Sequence, residues 1–171
     1  MNILVTGGYG FIGSNLIKKL LLNKNYQIFN IDKLGYASNK NSIADSLNLD
    51  NQERYKFYKV DLKNFHELCE IINLIKPDLV MHLAAESHVD RSINSPWEFI
   101  ESNVIGTYNL LEASRSYFNK LNGGKKSNFR FHHISTDEVF GSLSDIGTFS
   151  EKTPYDPRSP YSASKASSDH L

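Results

Sequence analysis

The sequence has 171 residues, enough for one domain with a core of its own. Lysine plus arginine and aspartate plus glutamate stand at 19 each, so the net charge is zero and gives no electrostatic case for nucleic acid or an anionic membrane. The single cysteine, Cys69, excludes an internal disulfide, and no apolar run approaches the roughly 20 residues that span a bilayer. Met1 leads straight into an apolar segment without a signal-peptide pattern, so a cytoplasmic protein is expected.

Asn2-Ile3-Leu4-Val5-Thr6 reads as a buried parallel strand. Gly7-Gly8-Tyr9-Gly10-Phe11-Ile12-Gly13 follows, then a helical pattern with Leu16, Ile17, Leu20 and Leu21 on one face. The glycines satisfy GxGxxG (Gly8, Gly10, Gly13) and GxxGxxG (Gly7, Gly10, Gly13). Such a turn lets backbone approach a pyrophosphate, which sits on the unpaired N–H groups of the helix N-terminus. A second strand, Gln27–Ile31, ends at Asp32, about 20 residues on, where the ribose-binding acid of this motif is expected. A carboxylate there accepts from ribose hydroxyls and repels a 2′-phosphate. The reading is therefore NAD rather than NADP, with Lys33 able to soften the repulsion.

Residues 33–52 are polar, with a weak helical pattern around Ile43 and Leu47. Tyr55–Val60 reads as a third strand ending at Asp61 and Leu62; Asp61 either meets an adenine amino group or caps the next helix. Residues 64–75 form an amphipathic helix holding Cys69 as a core thiol, stopped before Pro77. Asp78–Ala85 is a fourth buried strand, whose Ala84 and Ala85 leave room for a cofactor over its end. A polar loop, Glu86–Ser92, follows. Ser95-Pro96-Trp97-Glu98 then has the pattern of a capping box, opening a long helix with Phe99, Val104, Tyr108, Leu111 and Phe118 among its apolar positions. Gly123-Gly124-Lys125-Lys126 ends it before a fifth strand, Phe129–Ile134. The six histidines show no metal spacing, and His132 and His133 point to opposite faces of the strand.

Five strand–helix alternations predict an α/β fold with a doubly wound parallel sheet, the Rossmann type of NAD-binding domain, over residues 1–171. Ser135-Thr136-Asp137-Glu138-Val139-Phe140 brings a hydroxyl and two carboxylates to the end of the fifth strand. Ser159-Pro160 reads as a helix start, which puts Tyr161 and Lys165 one turn apart on one face. A free phenol titrates near 10, too high for a base near neutrality, and a nearby ammonium and a cationic nicotinamide are expected to lower it.

The glycine turn combined with Tyr-x-x-x-Lys resembles the extended short-chain dehydrogenase/reductase family. Ala84–Ile93, Ser135–Gly141 and Tyr161–Leu171 narrow the resemblance to its dTDP-glucose 4,6-dehydratases, over nearly the whole chain. Thr136-Asp137-Glu138 is the most discriminating part, because sugar epimerases of the family lack the acidic pair. The resemblance implies dehydration of dTDP-glucose to dTDP-4-keto-6-deoxyglucose, a step of nucleotide-sugar and cell-surface polysaccharide biosynthesis. Tyr161, helped by Lys165 and Thr136, removes the O4 proton as the C4 hydride passes to NAD. Glu138 takes the C5 proton, Asp137 protonates the departing C6 hydroxyl, and the hydride returns to C6. An elimination of water needs one acid and one base, which two carboxylates in different surroundings can supply.

By the same resemblance Gly7, Gly10, Phe11, Ile12, Gly13, Asp32, Lys33, Asp61, Leu62, Ala84, Ala85, Ser102, Tyr161 and Lys165 border NAD, and Ser87 and Thr136 face the sugar. There are departures from the family pattern. Phe140 stands where tyrosine is frequent, Ser102 where threonine is frequent, and the loop 142–152 is short. The chain stops at Leu171, inside the helix carrying Lys165, where the family continues into later strands and a substrate domain. The expectation is an N-terminal portion with little or no turnover alone, from a parent that dimerises through residues 96–121 and the helix of Lys165. Two alternatives stay open: another nucleotide-sugar dehydratase or decarboxylase of the family, and a non-catalytic NAD-binding module.

Overall fold

The computed structural model describes residues 1–47, 49–143 and 146–171. Asn48 of the polar stretch 33–52, and Ser144 and Asp145 of the loop 142–152, lie outside the described residues. The strands are β1 (Asn2–Thr6), β2 (Gln27–Asp32), β3 (Tyr55–Lys59), β4 (Leu79–His82) and β5 (Arg130–His133). All pair in parallel, in the order β3-β2-β1-β4-β5. The order reverses direction between β1 and β4, which opens a crevice at the carboxyl ends of these central strands. The doubly wound parallel sheet expected from the sequence is the fold observed.

Alternation along β1 shows why the sheet is buried on both sides. Leu4 faces one core, with Ile31, Val60, Leu68, Ile72 and Leu110. Ile3 and Val5 face the other, with Ile17, Ile28 and Ile43. Early in the chain α1 (Phe11–Leu21) and α3 (Phe65–Ile75) help to close these cores, with the short α2 (Leu49–Gln52) between them in sequence. Asn64 caps α3 by accepting from the Glu67 N–H at 3.3 Å, and Lys76 ends it in the left-handed region at φ 51°. Cys69 lies partly buried at the edge of the first core, less enclosed than a core thiol.

The middle of the chain departs from the expected pattern. The polar segment after β4 is not all loop, because α4 (Val89–Asn94) forms within it. Ser95 ends α4 through its N–H to the Arg91 carbonyl and starts α5 (Pro96–Phe99) at once, with no hydrogen bond from its side chain to the helix. No capping box forms there: Glu98 turns to Arg91 at 3.3 Å instead. Gly123 and its neighbours do not terminate the long helix, which ends at Phe118; they form a helix of their own, α7 (Gly123–Asn128).

Between α5 and α6 (Gly106–Phe118) the helix runs through a π-helical turn, Ile100–Ile105. The wider turn rotates the buried face away from the simple apolar stripe. Tyr108, one of the apolar positions, is 52% exposed, while Asn103, Thr107 and Asn109 are buried. Each of these three buried side chains has partners. Asn103 bonds both main-chain groups of Glu86, Thr107 Oγ1 lies 2.8 Å from His82 Nε2, and Asn109 donates to the Leu62 and Lys63 carbonyls. The helix is thus fastened to the strand ends by hydrogen bonds that apolar periodicity does not register. The last helix, α8 (Pro160–Asp169), carries the capping box, formed between Ser159 and Ser162.

His82 is fully buried, with Nδ1 2.7 Å from Thr6 Oγ1. Burial, with the charges of His133 and Lys165, pushes the imidazole well below its usual range and keeps it neutral. Above about pH 6.5 neither state takes the proton; below it the unfolded chain does and the folded chain does not. Stability should therefore fall with acid by up to about 1.4 kcal/mol per pH unit for this group. His133, shifted the same way mainly by burial, adds to the effect. Urea melts between pH 7.5 and 5, with His82→Gln flattening the profile, are the check.

Candidate active site

The carboxyl ends of β1, β2, β3 and β4 surround a cavity of about 400 Å³. Its floor is the glycine turn. Gly7 sits at φ +70°, and a Cβ there would come within 2.7 Å of the Ala84 backbone. At Gly13 a Cβ would meet the Gly7 carbonyl oxygen at 2.2 Å, so the start of α1 lies hard against the turn. Gly10 differs: the nearest atom to a Cβ there is at 3.2 Å. Phe11 and Ile12, at the first positions of α1, are 85% and 65% exposed and line the cavity. Their N–H groups belong to the unpaired set of a helix N-terminus, which suits an anion.

The side wall carries charge. Asp32 is buried and accepts three bonds: Oδ2 from the Tyr9 N–H at 3.0 Å, Oδ1 from the Leu34 N–H at 2.8 Å and from the Ser38 hydroxyl at 2.7 Å. Lys33 pairs with Glu86 at 2.7 Å across the gap between the ends of β2 and β4. Asp61 bonds the Lys63 N–H at 3.0 Å and lines the cavity, and the cap of α3 is Asn64. The capping alternative for Asp61 therefore falls away.

The far end is built from β5 and α8. Tyr161 and Lys165 both reach the cavity and are 9% and 5% exposed. Lys165 Nζ donates to the Ile134 carbonyl at 2.7 Å. Burial holds its ammonium below the ordinary range, while Asp169 raises it. The Tyr161 phenol moves opposite to the sequence expectation. Burial raises it, the Thr136 hydroxyl lowers it, and the Glu138 and Asp137 carboxylates raise it again. Lys165 faces a carbonyl, and the charges that shift Tyr161 are negative.

Every cofactor-site residue named from the sequence lines this one cavity, as does Ser87. Thr136, Asp137 and Glu138 do not. They stand at its rim, where Thr136 accepts from the Glu138 N–H at 3.3 Å and opens a 3₁₀ turn, Asp137–Phe140. Both carboxylates are exposed, yet they lie close enough to shift Tyr161. Phe140 stacks on Phe149 and Tyr155, with ring centroids 5.5 and 5.4 Å away. Sequence reasoning missed the Gly35–Ser38 segment and Glu86, which also line the cavity. It also missed Asn103, which joins the Glu86 main chain to Ser164 Oγ at 2.9 Å; that hydroxyl in turn donates to the Tyr161 carbonyl at 2.7 Å. A lone asparagine in an apolar helix, with a serine one residue before the lysine, was the available signal.

The family model of GDP-mannose 4,6 dehydratase matches residues 4–171. The chain belongs to this family. It is 52% identical over 180 residues to dTDP-glucose 4,6-dehydratase 1 of Escherichia coli (strain K12), covering 100% of this chain and 49% of the relative. It is likewise 52% identical over 172 residues to dTDP-glucose 4,6-dehydratase of Haemophilus influenzae, covering 100% and 50%. Among solved structures it resembles DesIV (dTDP-glucose 4,6-dehydratase) from Streptomyces venezuelae, crystallised with NAD and TYD. There the TM-score is 0.85 at 38% identity, over 99% of this chain and 50% of that one. The UDP-Glc/GlcNAc 4-epimerase of Campylobacter jejuni is similar at TM-score 0.83 and 27% identity, over 99% and 47%. The chain spans about half the length of the curated relatives it matches.

The two glycines of the turn should separate on mutation. Gly13→Ala drives a methyl into the Gly7 carbonyl and should lower both stability and dinucleotide affinity, the latter by an order of magnitude or more. Gly10→Ala makes one tight contact, 3.2 Å from the Gly7 carbonyl oxygen, and should cost much less. Thermal melts alongside NAD titrations of both variants are the check.

Proposed function

We propose that this chain is the dinucleotide-binding and catalytic part of an NAD-dependent dTDP-glucose 4,6-dehydratase. The observation that carries the reading is the convergence on one cavity of the glycine turn, Asp32, Tyr161 and Lys165, with Thr136-Asp137-Glu138 at its rim. The relatives named dTDP-glucose 4,6-dehydratase, and the NAD in the DesIV structure, support it.

The residues present fit NAD. The turn, where Gly7 and Gly13 leave no space for a Cβ, lays the N-terminus of α1 open to a pyrophosphate, and Asp32 retains lone pairs for ribose hydroxyls. Bound there, NAD would supply a hydride acceptor for sugar C4 and the donor that returns it to C6. The chain's own groups handle the protons. Tyr161 removes the O4 proton, steadied by the Thr136 hydroxyl; its raised phenol needs the positive charge of Lys165 and of an oxidised nicotinamide to titrate usefully. Glu138 takes the proton from C5, and Asp137 gives one to the C6 hydroxyl, which leaves as water; when the hydride comes back to C6, Glu138 returns its proton to C5. Ser87 and Thr136 face the sugar.

The reading extends to the whole protein. Its substrate is a nucleotide sugar, its place is in polysaccharide precursor synthesis in the cytoplasm, and it works as a homodimer. Among the described residues no helix is long and apolar enough to cross a membrane. The outer face of the 96–118 helix exposes Trp97, Ile100, Ile105 and Tyr108, apolar area of the kind a second copy covers.

The test uses the complete gene product that contains this sequence, assayed with dTDP-, UDP- and GDP-glucose. The expected result is a 4-keto-6-deoxy product fastest from dTDP-glucose, with Asp137→Asn and Glu138→Gln each slowing elimination by about 10²–10⁴. Faster turnover of a UDP- or GDP-sugar would move the reading to another branch of the family. Full activity in both variants would remove the roles given to the carboxylates.

A further inference from the structure

Lys33 stands next to the ribose acid Asp32 and lines the same cavity. A free ammonium at that point would attract a 2′-phosphate, which carries nearly two negative charges near neutrality. Asp32 is a weakened opponent, because its charge is dispersed over the Tyr9 and Leu34 N–H groups and the Ser38 hydroxyl. On these two residues alone the cavity would discriminate poorly between the two dinucleotides.

Glu86 changes the balance. Its carboxylate holds Lys33 Nζ at 2.7 Å, with side-chain exposures of 10% for Glu86 and 39% for Lys33. The pair is partly withdrawn from water, so it weighs more than a surface pair. Glu86 is also fixed at its base: its N–H donates to Asn103 Oδ1 at 2.8 Å, and its carbonyl accepts from Asn103 Nδ2 at 2.9 Å. Beside the pair lies a recess of about 100 Å³ lined by Asp61, Glu98 and Glu101 as well as Glu86, against Lys33 and Lys63. Lys63 is itself taken by Glu101 at 3.1 Å. Four carboxylates thus line the recess; its two ammonium groups are engaged, and Glu98 is itself paired with Arg91 at 3.3 Å.

We infer that Glu86 is a specificity residue: by engaging Lys33 it turns the adenosine end of the cavity against 2′-phosphorylated dinucleotides. The inference rests on the NAD reading above. It assigns to Glu86 no contact with the reacting sugar.

Calorimetric titration of the chain with NAD and with NADP, in wild type, Glu86→Gln and the Glu86→Gln/Lys33→Gln double variant, tests it. The ratio of the NADP Kd to the NAD Kd should fall about five- to tenfold in Glu86→Gln, as one charge-assisted contact becomes available to the phosphate. It should climb back when Lys33 is also removed. A pin of purely structural value would weaken both nucleotides alike; an unchanged ratio in a chain that binds NAD overturns the inference alone. Should Glu86→Gln fail to fold, Glu86→Asp, one methylene too short to hold the ammonium as closely, should give a partial fall, and an unchanged ratio there overturns the inference equally. Wild-type chain that binds neither nucleotide would overturn the NAD reading itself, and the inference with it.

Discussion

One buried amide holds the site together. Asn103, 1% exposed, pairs with both main-chain groups of Glu86 and with the hydroxyl of Ser164. Those contacts join three segments far apart in sequence: the end of β4, the long helix and the helix of Tyr161. An amide buried without partners would cost several kcal/mol, roughly 2–7 on transfer scales, so the three segments come together correctly or the structure pays heavily. The π-helical turn is the local distortion that accompanies this arrangement, with Asn103 inside it and Ser102 placed at the cavity wall.

With that frame in place, the cavity changes character along its length. At one end the glycine turn and the start of α1 present backbone N–H groups with little side chain between them. Beside β2 the wall is charged, with Asp32, Lys33 and Glu86 all lining it. Titratable groups gather at the other end, where Tyr161 is raised by burial and by the rim carboxylates, and Lys165 is lowered by burial. Asp169 braces this end: it accepts from the Tyr155 hydroxyl at 3.1 Å and lies 3.0 Å from His133, which ties α8 to β5.

Much of this was legible in the sequence, for physical reasons. Strands buried on both faces are short runs of branched apolar residues, and the glycine turn is bounded by one such run and a helix, so β1, α1 and Asp32 could be placed closely. What resisted reading was polar burial. Asn103, Thr107 and Asn109 line the inner face of the long helix, whereas apolar Tyr108 looks outward. A pattern built on hydrophobicity finds Phe99, which is buried, but misplaces Tyr108 and passes over the three polar side chains. Ser95 and Glu98 carry the letters of a capping box, but α4 ends on Ser95 and Arg91 claims the carboxylate. Glu86 read as loop, because its partner Lys33 lies on another strand end and no local spacing links them.

The proposed chemistry requires that the cavity hold NAD with its nicotinamide beside Tyr161. A crystal structure of the chain grown with NAD tests this most directly. The expected result is a pyrophosphate on the Phe11 and Ile12 N–H groups, an adenosine ribose on Asp32, and the nicotinamide within reach of Tyr161 and Lys165. A dinucleotide bound elsewhere, or an empty cavity at saturating NAD, would contradict it.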